Sequence, residues 1–260
     1  MKTYEEHYSK CVENYNSSGS SAISSVTLEK NCIVIDETVL KTVSNSVKKS
    51  LLNKHDISES LWGTYVNDFS AIDNLETLCR SVVDQLEEKY FKSFVKIENL
   101  HILQNKTEVP LESSWVWHYD DCPKEFLKFA IYLNKVTDKS GPMQIVKAKE
   151  STPVIESFRD HPNAIKGSPP PVFPKSRVPS KFVDTILSSG GEISSLTGPP
   201  GTHFLFTPNI IHRGTAPSPG TEPRLAIFMF VRPSLKRIDN LIDSAKPKKA
   251  NVNVKKYELN

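Results

Sequence analysis

The chain has 260 residues, 38% of them apolar and 24% charged, with a formal net charge of +3. Such a composition fits a folded globular protein rather than a disordered or collagen-like chain, and the charge is too small to argue for nucleic acid or an acidic membrane surface as partner. No apolar run is long enough to cross a membrane, and the four cysteines, Cys11, Cys32, Cys79 and Cys122, lack C-x-x-C spacing, which fits reduced thiols and a cytoplasmic location.

Residues 1–25 begin polar and acidic, without the apolar stretch of a secretory leader, and close on the serine-rich Ser17-Ser-Gly-Ser-Ser21; a flexible N-terminal arm is expected. One domain is expected over 26–234. It opens with Cys32-Ile-Val-Ile35, an apolar run suited to a buried strand. Helical support follows over 36–92. Asp36 stands at an N-cap position before Val39, Leu40, Val43, Val47 and Leu51, and a second stripe runs Leu75, Leu78, Cys79, Val82, Val83, Leu86, Tyr90.

From residue 95 to 234 the pattern changes to short strands: Val95–Leu103, Trp115–Tyr119, Phe126–Leu133, Met143–Val146, Thr202–Phe206, Ile210–His212 and Arg224–Val231. Gly/Pro turns separate most of them, and many short strands after an α-rich start argue for a β sandwich or barrel with flanking helices. Residues 150–195 form an insertion with a helix expected near Lys181–Ser188; a lid and a packed surface excursion are equally open readings. Residues 235–260 form a basic C-terminal tail, with Lys246-Pro-Lys-Lys249 and Lys255-Lys256.

Chemistry concentrates in three places: Trp115-Val-Trp-His-Tyr-Asp-Asp121, Ile211-His-Arg-Gly214 and Pro223-Arg-Leu-Ala226. On an extended strand His118 and Asp120 share a face, whereas Asp121 points away. With His212 they make two imidazoles and one carboxylate, a set that holds one face of a metal and leaves positions open. Arg224 stands twelve residues beyond His212, at the head of an almost wholly apolar strand. That strand would lead it inside, where a guanidinium needs an anion. Its planar fork suits a bidentate grip on a carboxylate.

The order H-x-D, a gap of about a hundred residues, then H and R resembles the Fe(II)/2-oxoglutarate-dependent dioxygenases. Gly141-Pro-Met-Gln-Ile-Val146, Gly201-Thr-His-Phe-Leu-Phe206 and Asn31-Cys-Ile-Val-Ile-Asp36 are similar to strands of the phytanoyl-CoA dioxygenase-like branch. The resemblance covers about residues 30–234. It implies a double-stranded β-helix (a cupin-like jelly roll), Fe(II) on His118, Asp120 and His212, and 2-oxoglutarate held by Arg224, with O2 as oxidant. It further implies hydroxylation of a small metabolite of amino-acid or organic-acid type, with succinate and CO2 as co-products. Asp120 speaks against halogenation, since halogenases of this family replace the carboxylate by a small residue.

On the strand after the ligand loop, Lys128, Ala130, Tyr132 and Asn134 share a face, which makes Lys128 and Tyr132 candidate cosubstrate contacts. Gln104 and Asn105 are weaker candidates by position alone. Trp115, Trp117 and Tyr119 fall on the face opposite His118 and are expected to brace the ligand strand. His203 and His101 are expected to be structural, and His7, His55 and His161 lack any partner pattern. Two rival functions stay open: an oxygenase acting on a protein side chain or nucleobase, and a non-catalytic jelly-roll module that binds metal or 2-oxoglutarate. The sequence is silent on oligomeric state.

Overall fold

The computed structural model describes residues 4–15, 23, 26–60, 63–107, 113–120, 122–123, 125–147 and 177–247. Helix α1 spans Tyr4–Asn14 and strand β1 Leu28–Lys30. Helix α2, Glu37–Ser50, starts where Asp36 accepts from the N–H groups of Thr38 (2.7 Å) and Val39 (3.0 Å), which satisfies two donors that the helix itself cannot. Strands β2 (Ile57–Ser60) and β3 (Gly63–Val66) follow. Helix α3 covers Leu75–Leu86 and ends in a π turn over Glu87–Phe91. The expected stripe on α3 is its buried face, Leu75, Leu78, Cys79, Val82, Val83 and Leu86.

Next come β4 (Phe94–Gln104), β5 (Leu127–Tyr132) and β6 (Met143–Val146). Helix α4 (Ser180–Ser188) precedes β7 (Ile193–Leu196), β8 (His203–Phe206), β9 (His212–Gly214) and β10 (Leu225–Ser234). A short helix α5 (Leu241–Ser244) and β11 (Lys246–Pro247) end the described chain. The larger sheet runs β1-β8-β5-β10-β4-β3-β2, with β11 added to β4, and the smaller runs β7-β6-β9. Every pairing is antiparallel except that of β11. This is the jelly roll that the sequence led us to expect.

The larger sheet is apolar on both faces because both are covered. One face packs Ile97, Ile102, Phe129, Ile131, Leu205, Ile227 and Met229 against the inward residues of α2 and α3. The other packs Tyr132, Phe204, Phe206 and Ala226 against Met143, Ile145 and Leu196 of the smaller sheet. Each buried side chain of this size contributes about 1.5–3 kcal/mol. Register sets the inner face in rows. Phe206, Lys128 and Phe230 stand side by side, as do Phe204, Ala130, Phe228 and His101, then Tyr132, Ala226, Leu103 and Tyr65.

Several expectations need correction. The N-terminal segment is not a loose arm over Tyr4–Asn14. That helix buries Cys11, and Tyr8 donates to the Phe91 carbonyl (2.8 Å). The first part of the expected tail is docked too: Glu76 accepts from the N–H groups of Leu241 (3.0 Å) and Ile242 (2.9 Å), and β11 pairs with β4. Residues 248–260 lie outside the described part, as do most of the 150–195 insertion, Asp121 and His161. Cys32–Ile35 is no strand. Its backbone is satisfied by side chains instead, with the Ile33 N–H donating to His203 Nε2 (3.0 Å) and the Val34 N–H to Gln85 (2.8 Å).

Candidate active site

The site lies between the two sheets, at the end where β9 meets the segment that follows β4. A 3-10 turn over Ser113–Trp115 leads into an extended stretch, and His118 forms an isolated antiparallel bridge with His212. The bridge is closed both ways: the His118 N–H donates to the His212 carbonyl (3.0 Å), and the His212 N–H donates back (2.8 Å). On the far side His118 bridges to Arg177, where the chain returns from the insertion. Two residues on, the Asp120 N–H donates to the Pro208 carbonyl (2.9 Å). The extended backbone therefore turns His118 and Asp120 the same way, although the predicted strand Trp115–Tyr119 is reduced to one bridging residue, His118.

Backbone carbonyls fix both imidazoles. Nδ1 of His118 donates to Val116 O (2.9 Å), and Nδ1 of His212 donates to Ile210 O (2.7 Å). Each ring thus carries its proton on Nδ1 and presents the Nε2 lone pair inward. One ligand atom from each of His118, Asp120 and His212 falls within 4.8 Å of the others. Burial, reinforced by each other's charge or that of Lys128, keeps the imidazoles neutral: His118 is held well below its ordinary value and His212 is lowered to about 4. For Asp120 burial opposes ionisation, but the neighbouring Lys128 ammonium outweighs it, so the carboxyl stays well below the usual carboxylate range. Asp120 Oδ2 is buried and receives no hydrogen bond of normal geometry, only an ion pair from Lys128. Two neutral imidazoles and a carboxylate fit a first-row divalent metal with open positions.

These groups line a cavity of about 730 Å³, counting its solvent-open mouth, together with Arg224, Tyr65, His101, Trp115, Phe228 and Phe230. Arg224 is buried, yet among the described residues its Nε and Nη1 have no hydrogen-bond partner. Burial lowers its pKa; Tyr132 and Tyr65 only partly offset this. Arg232, equally buried on the same strand, is different: a register shift in the β10–β4 ladder falls beside Glu98, and Arg232 Nε donates to Glu98 Oε2 at 3.0 Å.

The structure brings His118, Asp120, His212, Lys128 and Arg224 to one cavity. Tyr132 is not on its wall. Its hydroxyl donates to the Leu196 carbonyl (2.7 Å), so it stands behind Arg224 and ties the sheets together. Asn105 is structural as well: Nδ2 donates to Gly141 O (3.0 Å) and Thr215 O (3.2 Å). His203 spans Gly201 O and the Ile33 N–H, a structural role as expected. Trp115 departs from expectation. It lines the cavity, lying over Gly214, where an added Cβ would come 3.2 Å from its ring; Trp117 and Tyr119 do pack away, against Val146, Val178 and Ile211. Sequence reasoning missed Arg177, which no motif marks, and gave His101 and Tyr65 no place on a cavity wall.

No protein-family model matches the sequence. Among curated proteins, L-proline trans-4-hydroxylase from Streptomyces griseoviridis is 27% identical over 37% of this chain and 37% of its own length, so the match spans little more than a third of that relative. Among solved structures, the epimerase SnoN in complex with Fe3+, alpha ketoglutarate and nogalamycin RO aligns with a TM-score of 0.54 at 14% identity, covering 86% of this chain and 83% of that one. EctD from S. alaskensis with bound Fe aligns at 0.53 and 13% identity over 88% and 86%. The non-heme alpha ketoglutarate dependent carbocyclase SnoK gives 0.51 and 13% over 86% and 83%. At these identities the likenesses show a shared fold.

Proposed function

We propose that this protein is an Fe(II)- and 2-oxoglutarate-dependent oxygenase that hydroxylates a small organic acid or amino acid and releases succinate and CO2. Cytoplasmic residence belongs to the same reading; among the described residues no helix is long and apolar enough to cross a membrane. One observation carries it. A buried guanidinium with two partnerless N–H groups opens onto the same cavity as a His-Asp-His cluster. A buried cation of this kind is costly unless a ligand supplies the anion, and a dicarboxylic acid reaching from the cluster to Arg224 would do so. Placement near the phytanoyl-CoA dioxygenase-like branch rests on the turn and strand at Gly141–Val146 and on β8 after Gly201.

In this reading His118, Asp120 and His212 hold the metal, and Arg224 grips the distal carboxylate of 2-oxoglutarate. Bound together, iron and 2-oxoglutarate would activate O2, which would supply the oxygen atom placed in a C–H bond while 2-oxoglutarate is oxidised to succinate and CO2. The chain's own part is orientation and exclusion. The carbonyls of Val116 and Ile210 set the imidazole tautomers. The His118–His212 bridge fixes their spacing, with the rings 4.2 Å apart between centres. Phe228, Phe230 and Trp115 keep the wall apolar, while Tyr65, His101 and Ser114 leave polar groups on the wall for a small substrate.

The test is direct. Wild-type protein with Fe(II), 2-oxoglutarate, O2 and a panel of free amino acids and small organic acids, L-proline among them, is expected to form succinate and a product one oxygen heavier. Succinate no higher than that of a His212→Ala variant across the panel would refute the small-acid reading.

A further inference from the structure

Lys128 is the one charged residue of the cavity whose partners are the metal donors themselves. Strand β5 carries it between Phe206 and Phe230, and its Nζ lies 4.5 Å from the Phe230 ring centre and 5.8 Å from that of Phe206. From there the ammonium is ion-paired with Asp120 Oδ2 and stands 3.0 Å from His212 Nε2. Nδ1 of His212 carries that ring's proton, so Nε2 can only accept, and Lys128 donates to it. A lone pair engaged by an N–H is not available to a metal. Nor would an ammonium and a divalent ion share this buried place without strong repulsion. Arg177 also acts on Asp120 through its charge, while Lys128 holds the hydrogen-bonding position at His212 Nε2.

We infer that Lys128 is a resident cation of the metal-free site: its ammonium neutralises Asp120 and occupies the His212 lone pair until an incoming divalent ion displaces it. The inference rests on the reading of His118, Asp120 and His212 as metal ligands. It explains why a buried carboxylate beside two neutral imidazoles is tolerated in the metal-free fold, where an unpaired charge would be costly. It makes Lys128 a positioning residue whose removal has opposite effects on the two states. The empty site loses its counter-ion, while the metal no longer has a competitor. The aromatic faces of Phe206 and Phe230 give the displaced ammonium somewhere to rest on the same wall.

The experiment compares wild type, Lys128→Met and Lys128→Arg, using Mn(II) as the probe without 2-oxoglutarate. Free Mn(II) is read by electron paramagnetic resonance, and the thermal midpoint is read with and without the ion. Lys128→Met keeps the length and apolar contact of the side chain. It is expected to bind Mn(II) about tenfold more tightly than wild type, with a lower metal-free midpoint and a larger rise on metal addition. Lys128→Arg, which keeps a cation, is expected to stay near wild type. Equal or weaker Mn(II) binding by the Met variant would overturn the exchange alone, since a lysine that merely supports the carboxylate should weaken the site when lost. Absence of binding in every protein, wild type included, would overturn the metal reading and this inference with it. Wild type gives an independent check that needs no variant. An amine-acylating reagent should label Lys128 faster in the presence of saturating Mn(II), by peptide mass spectrometry; an unchanged or slower rate would overturn the exchange.

Discussion

Replacing Arg224 by Met should raise the stability of the ligand-free protein and lower its affinity for 2-oxoglutarate. The two signs come from one feature. In the ligand-free chain Nε and Nη1 are buried without partners, and each such group costs about 1–3 kcal/mol. The guanidinium regains about 0.5–1 kcal/mol from its place over the Phe228 ring, 5.7 Å away. Methionine keeps most of the apolar contact and carries no donor. The net gain is therefore at least about 1 kcal/mol, a rise in thermal midpoint of roughly 2–4 °C for a domain of this size. Binding moves the other way: charge-assisted hydrogen bonds contribute about 1.5–3 kcal/mol, so affinity should fall roughly 10- to 150-fold. Arg224→Lys keeps the charge without the fork and should lose about tenfold. Calorimetric titration of 2-oxoglutarate into the Mn(II)-loaded protein, with differential scanning calorimetry of the ligand-free protein, measures both. A destabilised Met variant that binds 2-oxoglutarate like wild type would refute the reasoning and make Arg224 a structural residue like Arg232.

Three further outcomes are expected. His212→Ala should lose stoichiometric Mn(II) or Fe(II) binding while keeping its far-ultraviolet circular dichroism, because the bridge to His118 is made by backbone groups; full metal content would remove His212 from the ligand set. With chloride present, wild type should give only halogen-free products, since in the proposed ligand set Asp120 would hold the place a halide needs; a chlorinated product by mass spectrometry would overturn that assignment. Gly141→Ala should lower the thermal midpoint by several degrees, because its φ is +75° and an added Cβ would lie 2.3 Å from Asn105 Nδ2 and 2.4 Å from Thr215 O; an unchanged midpoint would mean this turn relaxes freely.

The site was far more legible than the ground around it. His118 and Asp120 could be paired because two-residue spacing on extended backbone fixes a common face, and that held even though two isolated bridges at His118 replace the expected strand. Alternation also put Lys128 and Tyr132 on one face. It could not give reach. The flexible stem of Lys128 extends to Asp120 and His212, whereas the rigid ring of Tyr132 spends its hydroxyl on Leu196 O. Trp115 was misplaced for a related reason: a 3-10 turn ends at that residue, so strand parity does not apply there. Strand β7, Ile-Ser-Ser-Leu, was missed because only Leu196 is buried and no apolar pattern marks it. Cys32–Ile35 looked like a strand but is a loop satisfied by His203 and Gln85, partners far away in the chain. Patterns of period two or 3.6 record which way a side chain faces. They do not record long-range hydrogen bonds.

The pair of buried arginines on one strand shows how function can be read from what a fold leaves unmet. The sequence placed Arg224 at the head of an apolar strand and argued that burial would demand an anion, but Arg232 at the other end is just as buried. Burial alone does not distinguish them. The difference comes from the partner strand, where the register shift between Phe230 and Val231 brings Glu98 beside Arg232 and completes an ion pair within the fold. No described acid reaches Arg224. A charge already matched inside the chain has spent its interaction on stability. A charge kept buried and unmatched on a cavity wall still has that interaction to give, and what it accepts must be an anion small enough to enter. Lys128 extends the argument to the other end of the cavity, where a cation occupies donors arranged for a metal. On the proposed reading, with an unmatched cation at one end and metal donors at the other, the cavity would take a dicarboxylic acid laid between them.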